Sequence, residues 1–308
     1  MKGVSRGSAD RHSDAVGSST RGAAVVTGAS RGLGLAIATA LHEAGYAVLL
    51  TDVDAAVVAA AAEPLGGWSA RLDVRYDQAC QVVAARAAER TGGLALWVNN
   101  AGILATGPSW THDAATRRRL LEVNALGGMN GTLAALEVMR RQGGGHVINV
   151  VSLAGLVAAP GETVYAASKH ALIAFSIGTL AELRAAGEKR VHISCICPDG
   201  IWTPMLQDKL DDAGAAASFT GTLLTPQAVA ARVVRLTENP RPVVSVPRWR
   251  GAEVRVFDAF PRLSLRLAKL IMATGRAGQR RQARRLKRER KRKAAKELKP
   301  GWPDRDSA

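Results

Sequence analysis

Short apolar runs rich in Val, Ile and Leu alternate with longer Ala-rich stretches along most of this chain. The runs fall at residues 23–27, 47–51, 68–72, 96–99, 146–151, 191–197 and 243–246. Most are apolar at consecutive positions, so they suit strands covered on both faces, as in a parallel sheet. Between them the periodicity predicts helices over 33–44, 55–63, 78–90, 120–141, 163–186 and 226–236. Such alternation predicts an α/β fold, a doubly wound parallel sheet of about seven strands with helices on both faces. Ligands of such sheets bind beyond the carboxyl ends of the strands, so the loops there are where chemistry is sought. Residues 204–225 break the alternation with Gly, Ala, Asp and Ser. They read either as a lid beside the site or as a plain surface loop.

The first strand runs into Thr27-Gly28-Ala29-Ser30-Arg31-Gly32-Leu33-Gly34 and then a helix. Glycines at that junction let backbone approach a pyrophosphate, and the helix start offers free N–H groups, the Rossmann-type arrangement. Asp52 closes the second strand, where a carboxylate accepts bonds from an adenosine ribose and repels a 2′-phosphate. That favours NAD over NADP, although Arg31 could reach such a phosphate. The fourth strand ends in Asn99-Asn100-Ala101-Gly102, a bend in which side-chain amides replace ladder bonds. Tyr165 and Lys169 stand at i and i+4 of a predicted helix and share a face. A neighbouring ammonium stabilises a phenolate and lowers its pKa. Ser152, closing the fifth strand, could bond the same substrate oxygen.

These motifs, in this order, resemble the short-chain dehydrogenase/reductase family over about residues 21–250. The resemblance implies an NAD(P)-dependent enzyme interconverting an alcohol and a carbonyl. It implies Tyr165 as the general acid/base, Ser152 holding the substrate oxygen, and Lys169 on the nicotinamide ribose. Asn124 would hold a water that continues a proton relay. Asp73, followed by Val74, matches the adenine contact; Asn99, Ala101 and Gly102 would line the adenosine side. Gly28, Ser30, Arg31, Gly32, Leu33, Gly34 and Asp52 complete the expected nucleotide contacts. Pro198, Ile201 and Thr203 match residues near the carboxamide, but Asp199 stands between the usual proline and glycine, which bears on those contacts. Apolar flanking segments point to a hydrophobic steroid-, retinoid- or lipid-like substrate. Reduction of a 3-oxoacyl thioester, or nucleotide sensing without turnover, are the alternatives. The family also implies a homodimer or homotetramer.

At 47% hydrophobic the chain has ample core material, which excludes global disorder. Its net charge of +16 is concentrated at one end: residues 276–299 alone hold 13 Lys and Arg. The pI therefore describes an extension and not the body. On a helical wheel over 256–272, Val256, Phe260, Leu263, Leu267, Leu270 and Ile271 oppose Asp258, Arg262, Arg266 and Lys269. The expected organisation is a flexible arm (1–21), a catalytic domain (22–250), an amphipathic helix (251–275) and a basic tail (276–308). An anionic membrane surface is the partner considered for that extension, ahead of nucleic acid, for which no reading module is present. Cys80, Cys195 and Cys197 fit buried thiols of a reducing compartment, with no metal site completed. The first 21 residues lack an apolar core for a secretory signal, so the expected location is cytoplasmic, with peripheral membrane association considered.

Overall fold

The computed structural model describes residues 21–297, so the arm expected before Arg21 and residues 298–308 of the extension lie outside the described residues. Seven strands form one parallel sheet: β1 (Ala23–Thr27), β2 (Ala47–Asp52), β3 (Ser69–Arg71), β4 (Leu94–Asn99), β5 (Gly145–Val150), β6 (Val191–Pro198) and β7 (Val243–Val246). Their order is β3-β2-β1-β4-β5-β6-β7. The chain therefore reverses its winding between β1 and β4, and the crevice above that point is where a doubly wound sheet binds its ligand.

The helices are α1 (Gly32–Glu43), α2 (Ala55–Ala62), α3 (Asp77–Thr91), α4 (Ala114–Leu121), α5 (Gly127–Gln142), α6 (Thr163–Ala185), α7 (Pro204–Gln207), α8 (Pro226–Glu238), α9 (Arg248–Ala259) and α10 (Pro261–Glu297). Strand β1 shows why the apolar runs are continuous. Ala23 and Val25 enter a core with Ala84 and Ala135 of α3 and α5, while Ala24 and Val26 enter a second core with Ile37 and Val233 of α1 and α8. Successive side chains point to opposite faces, and both faces are covered. Each fully buried Leu or Ile in these cores contributes about 1.5–3 kcal/mol of burial.

The strands lie where the apolar runs placed them. Helix α4 starts six residues before the expected 120, because the polar Ala114–Arg119 turn is capped by Asp113, which accepts from Thr116 N at 2.7 Å. A π-helical turn, Glu122–Leu126, joins α4 to α5. The expected break at residue 276 is absent. Pro261, at the first helical position, instead separates α9 from α10, and α10 runs unbroken through the basic stretch. The wheel drawn across 256–272 spans that break. As a result Leu263, Leu265 and Leu270 are exposed, while Leu267 and Ile271 turn inward.

Residues 204–225 contain α7 and a 3-10 stretch, Ala213–Phe219, and they are pinned under α10. Gln279, 5% exposed, donates Nε2 to Lys209 O (3.1 Å) and Asp212 O (2.7 Å). Gly275 and Gly278 let the helix lie against the carbonyls of Ala216 and Phe219, where any Cβ would overlap. The segment is thus a wall held between the body and the last helix.

Candidate active site

A cavity of about 840 Å³ opens at the carboxyl ends of β1, β4, β5 and β6. It contains every residue expected at the site except Asn99 and Asn124. The nucleotide end is built on backbone. Gly28 has φ +62°, a conformation L side chains rarely adopt, and a Cβ on Gly34 would overlap the carbonyl oxygen of Gly28. A bare backbone and the open N–H groups of α1 thus face the cavity, a surface that fits a pyrophosphate. Ser30 Oγ donates to Asp52 Oδ2 at 2.6 Å, and Val53 N donates to Oδ1 at 2.8 Å. The Asp52 carboxylate is thereby fixed at the end of β2, beside the exposed Arg31. Asp73 is gripped by Arg75, whose Nε lies 3.0 Å from Oδ1, and that hydrogen bond holds its carboxyl below the usual range.

Asn99 does not line the adenosine side. It is 4% exposed, and its amide bonds Trp97 Nε1, Gly128 O, Thr132 and Asn149, stitching β4 to α5 and β5. The strand's alternation sends Asn100 to the cavity instead. Its Nδ2 donates to Thr27 O and Gly28 O, both at 3.0 Å. Asn124 is likewise behind the wall. Its Nδ2 donates to Ile103 O (2.9 Å) and Ser168 Oγ (3.1 Å), while Oδ1 accepts from Ile103 N (2.8 Å). Both amide hydrogens are spent, so water binding there is left to its carbonyl oxygens.

Tyr165, Ser152 and Lys169 converge. Tyr165 and Ser152 line the same cavity, and Lys169 Nζ lies 5.7 Å from the phenol ring centroid. Lys169 Nζ also donates to Val150 O at 3.1 Å. Burial lowers the Lys169 ammonium to about 8. The phenol departs from expectation: burial pushes its pKa up, the nearby Glu162 adds to this, and the Ser152 hydroxyl opposes it.

The structure adds three groups to the site, of which Glu162 had no signal in the sequence. Glu162, 2% exposed, lines the cavity three residues before Tyr165 and accepts from Ser218 Oγ at 2.6 Å. Burial raises its pKa to about 7. Asp199 lines the cavity too, paired with Arg250 of α9, whose Nε lies 2.8 Å from Oδ2. This explains the Asp between Pro198 and Gly200, and it leaves Pro198, Ile201 and Thr203 on the wall. Finally, α9 and α10 supply Val254, Phe257, Leu265, Ala268 and Ile271 to the far wall. Only the amphipathic pattern around 256–272 pointed to a buried face there.

Residues 22–214 match the family described as short chain dehydrogenase. The chain belongs to the short-chain dehydrogenase/reductase family. It is 36% identical over 191 residues to the sex determination protein tasselseed-2 of Zea mays, covering 59% of this chain and 56% of that protein. It is 28% identical to the 15-hydroxyprostaglandin dehydrogenase [NAD(+)] of Rattus norvegicus, covering 78% of this chain and 96% of the rat protein. A crystal structure of a short chain dehydrogenase/reductase from Burkholderia phymatum in complex with NAD superposes with a TM-score of 0.71 and 27% identity. It covers 79% of this chain and 95% of that one. The family's chemistry is alcohol–carbonyl oxidoreduction with a nicotinamide cofactor, and the glycine cradle and Asp52 suit that group. Among the described residues no helix is long and apolar enough to cross a membrane, and no cluster of His, Cys, Asp or Glu could hold a metal ion.

Proposed function

We propose that this protein interconverts a lipophilic secondary alcohol and its ketone, with NAD preferred over NADP. The observation that carries the reading is the meeting of the Tyr165 hydroxyl, Ser152 and Lys169 in one cavity with the glycine cradle. A nicotinamide dinucleotide bound there would take up or supply the hydride and, when oxidised, add a positive charge near the phenol.

The chain's own residues manage the proton. Ser152 Oγ–H donates to the substrate oxygen and positions it beside Tyr165. In oxidation the Tyr165 phenolate accepts the alcohol proton, with the Lys169 ammonium stabilising that anion. In reduction the neutral phenol, the form burial favours here, gives its proton to the oxygen as negative charge develops on it. The Lys169 ammonium would also bind the ribose hydroxyls. Asp52, fixed by Ser30, supports the NAD preference, since it would accept ribose hydroxyls and repel a 2′-phosphate.

The substrate class rests on the apolar wall of Val157, Leu206, Val254, Phe257, Leu265 and Ile271. The rat relative named for a hydroxyprostaglandin and NAD(+) is in keeping with it. A panel of secondary alcohols and ketones graded in apolar size, followed by nicotinamide absorbance with both cofactors, tests the reading. Turnover that rises with apolar size and favours NAD is expected. Tight nucleotide binding without turnover on any member overturns it.

A further inference from the structure

Helix α10 presents two surfaces. Its docked face runs through Ser264, Leu267, Ala268, Ile271, Gly275 and Gln279, spaced three and four residues apart. About 110–130° round the helix from the centre of that face, Leu263, Leu270, Arg281 and Arg288 follow at intervals of seven, eleven and seven. At 3.6 residues per turn these fall within about 20° of one line. The line is apolar at its start and cationic at its end. Leu263 is 44% exposed and Leu270 61%, and Val256 and Phe260 just before the helix are exposed too. Arg280, Arg281, Arg284, Arg285 and Arg288 crowd the next turns. Among the described residues, only Arg285 of these five has an acidic partner, Glu289 at 2.9 Å.

We infer that the outer face of α9 and α10 docks on an anionic phospholipid surface. A second copy of this face would bring like charges together. A nucleic acid would take up the arginines and leave Val256, Phe260, Leu263 and Leu270 in water. A bilayer interface satisfies both halves: the apolar side chains enter the boundary below the headgroups, and the arginines meet anionic lipid. The surface is independent of the oxidoreductase reading and stands even if no substrate is found.

Co-sedimentation of the full chain with phosphatidylcholine vesicles, with and without phosphatidylserine, tests the inference. Binding to the phosphatidylserine vesicles alone, weakened by salt, is expected. Each charge removed weakens partitioning about fivefold, so Arg280→Gln/Arg284→Gln/Arg288→Gln loses about 100-fold. Leu263→Asp/Leu270→Asp also releases the protein from vesicles. Fluorescence titration with NADH shows that each variant is folded, since none of these residues lines the cavity. Equal sedimentation with both lipids overturns the inference. So does binding that survives Leu263→Asp/Leu270→Asp while duplex DNA competes it away, which would assign the arginines to nucleic acid.

Discussion

Arg250 Nε donates to Asp199 Oδ2 at 2.8 Å across 51 residues of chain, tying the loop after β6 to helix α9. The two side chains are 12% and 6% exposed, and Arg250 also holds Glu253 and Thr220. Removing one member of such a pair leaves a buried charge without its partner, a loss of about 3 kcal/mol, whereas removing both is far milder. Asp199→Ala is therefore expected to lower the urea midpoint markedly, and Asp199→Ala/Arg250→Met to regain most of it. Equal destabilisation by the single and double variants would show that the pair is not coupled.

Glu162 makes stability depend on pH. Its folded-state pKa of about 7 lies above the ordinary 4.5, so the folded protein keeps a proton that the unfolded chain releases between those values. Its contribution is complete below about pH 4.5 and is lost as pH rises towards 7, a fall of about 2–3 kcal/mol. Glu162→Gln still accepts from Ser218 and cannot ionise. Its urea stability is expected to fall less than wild type between about pH 5 and pH 8. Parallel profiles for the two proteins would place the titration elsewhere.

Tyr165→Phe keeps the shape of the cavity and removes the transferable proton. Turnover is expected to drop by about 10²–10⁴, with nucleotide affinity little changed. Lys169→Ala should lose both, because its ammonium serves phenol and ribose together. Steady-state kinetics with NADH fluorescence titration separates these effects, and unchanged turnover in Tyr165→Phe would remove it from the chemistry.

Cofactor choice is expected to turn on Asp52. Asp52→Asn keeps a partner for Ser30 and deletes the negative charge, while Arg31 remains at the edge of the cavity. The ratio of kcat/KM for NAD over NADP is expected to fall at least tenfold, about 1.4 kcal/mol. An unchanged ratio would move the discrimination away from β2.

How much of this was legible in the sequence follows from range. The strands were readable because burial on both faces leaves no polar alternation, as Ala23 to Val26 show. The Gly28 turn and the Tyr165–Lys169 pair were readable because each is a local spacing. The Asn99–Asn100 bend was located, but Asn99 was placed toward the adenosine side, since only the pleat decides which of the two faces the cavity. Glu162 gave no signal because its burial depends on Ser218, 56 residues away. Asp199 looked like an irregularity until Arg250 supplied its reason. The seat of α10 gave no signal either, because Gly275, Gly278 and Gln279 meet carbonyls of Lys209, Asp212, Ala216 and Phe219, about 60–70 residues away.

The far wall of the cavity has a consequence for the order in which the molecule is made. The proton-transfer residues are complete at Lys169 and the nucleotide end at Thr203, but the facing wall runs from Arg250 to Thr274. At about 5–20 residues per second, the roughly seventy residues from Thr203 to Thr274 take several seconds to leave the ribosome. The residues of the nucleotide end thus emerge before those of the facing wall. Proteolytic clipping within the first turns of α10 is expected to loosen that wall and to leave the residues of the nucleotide end in place.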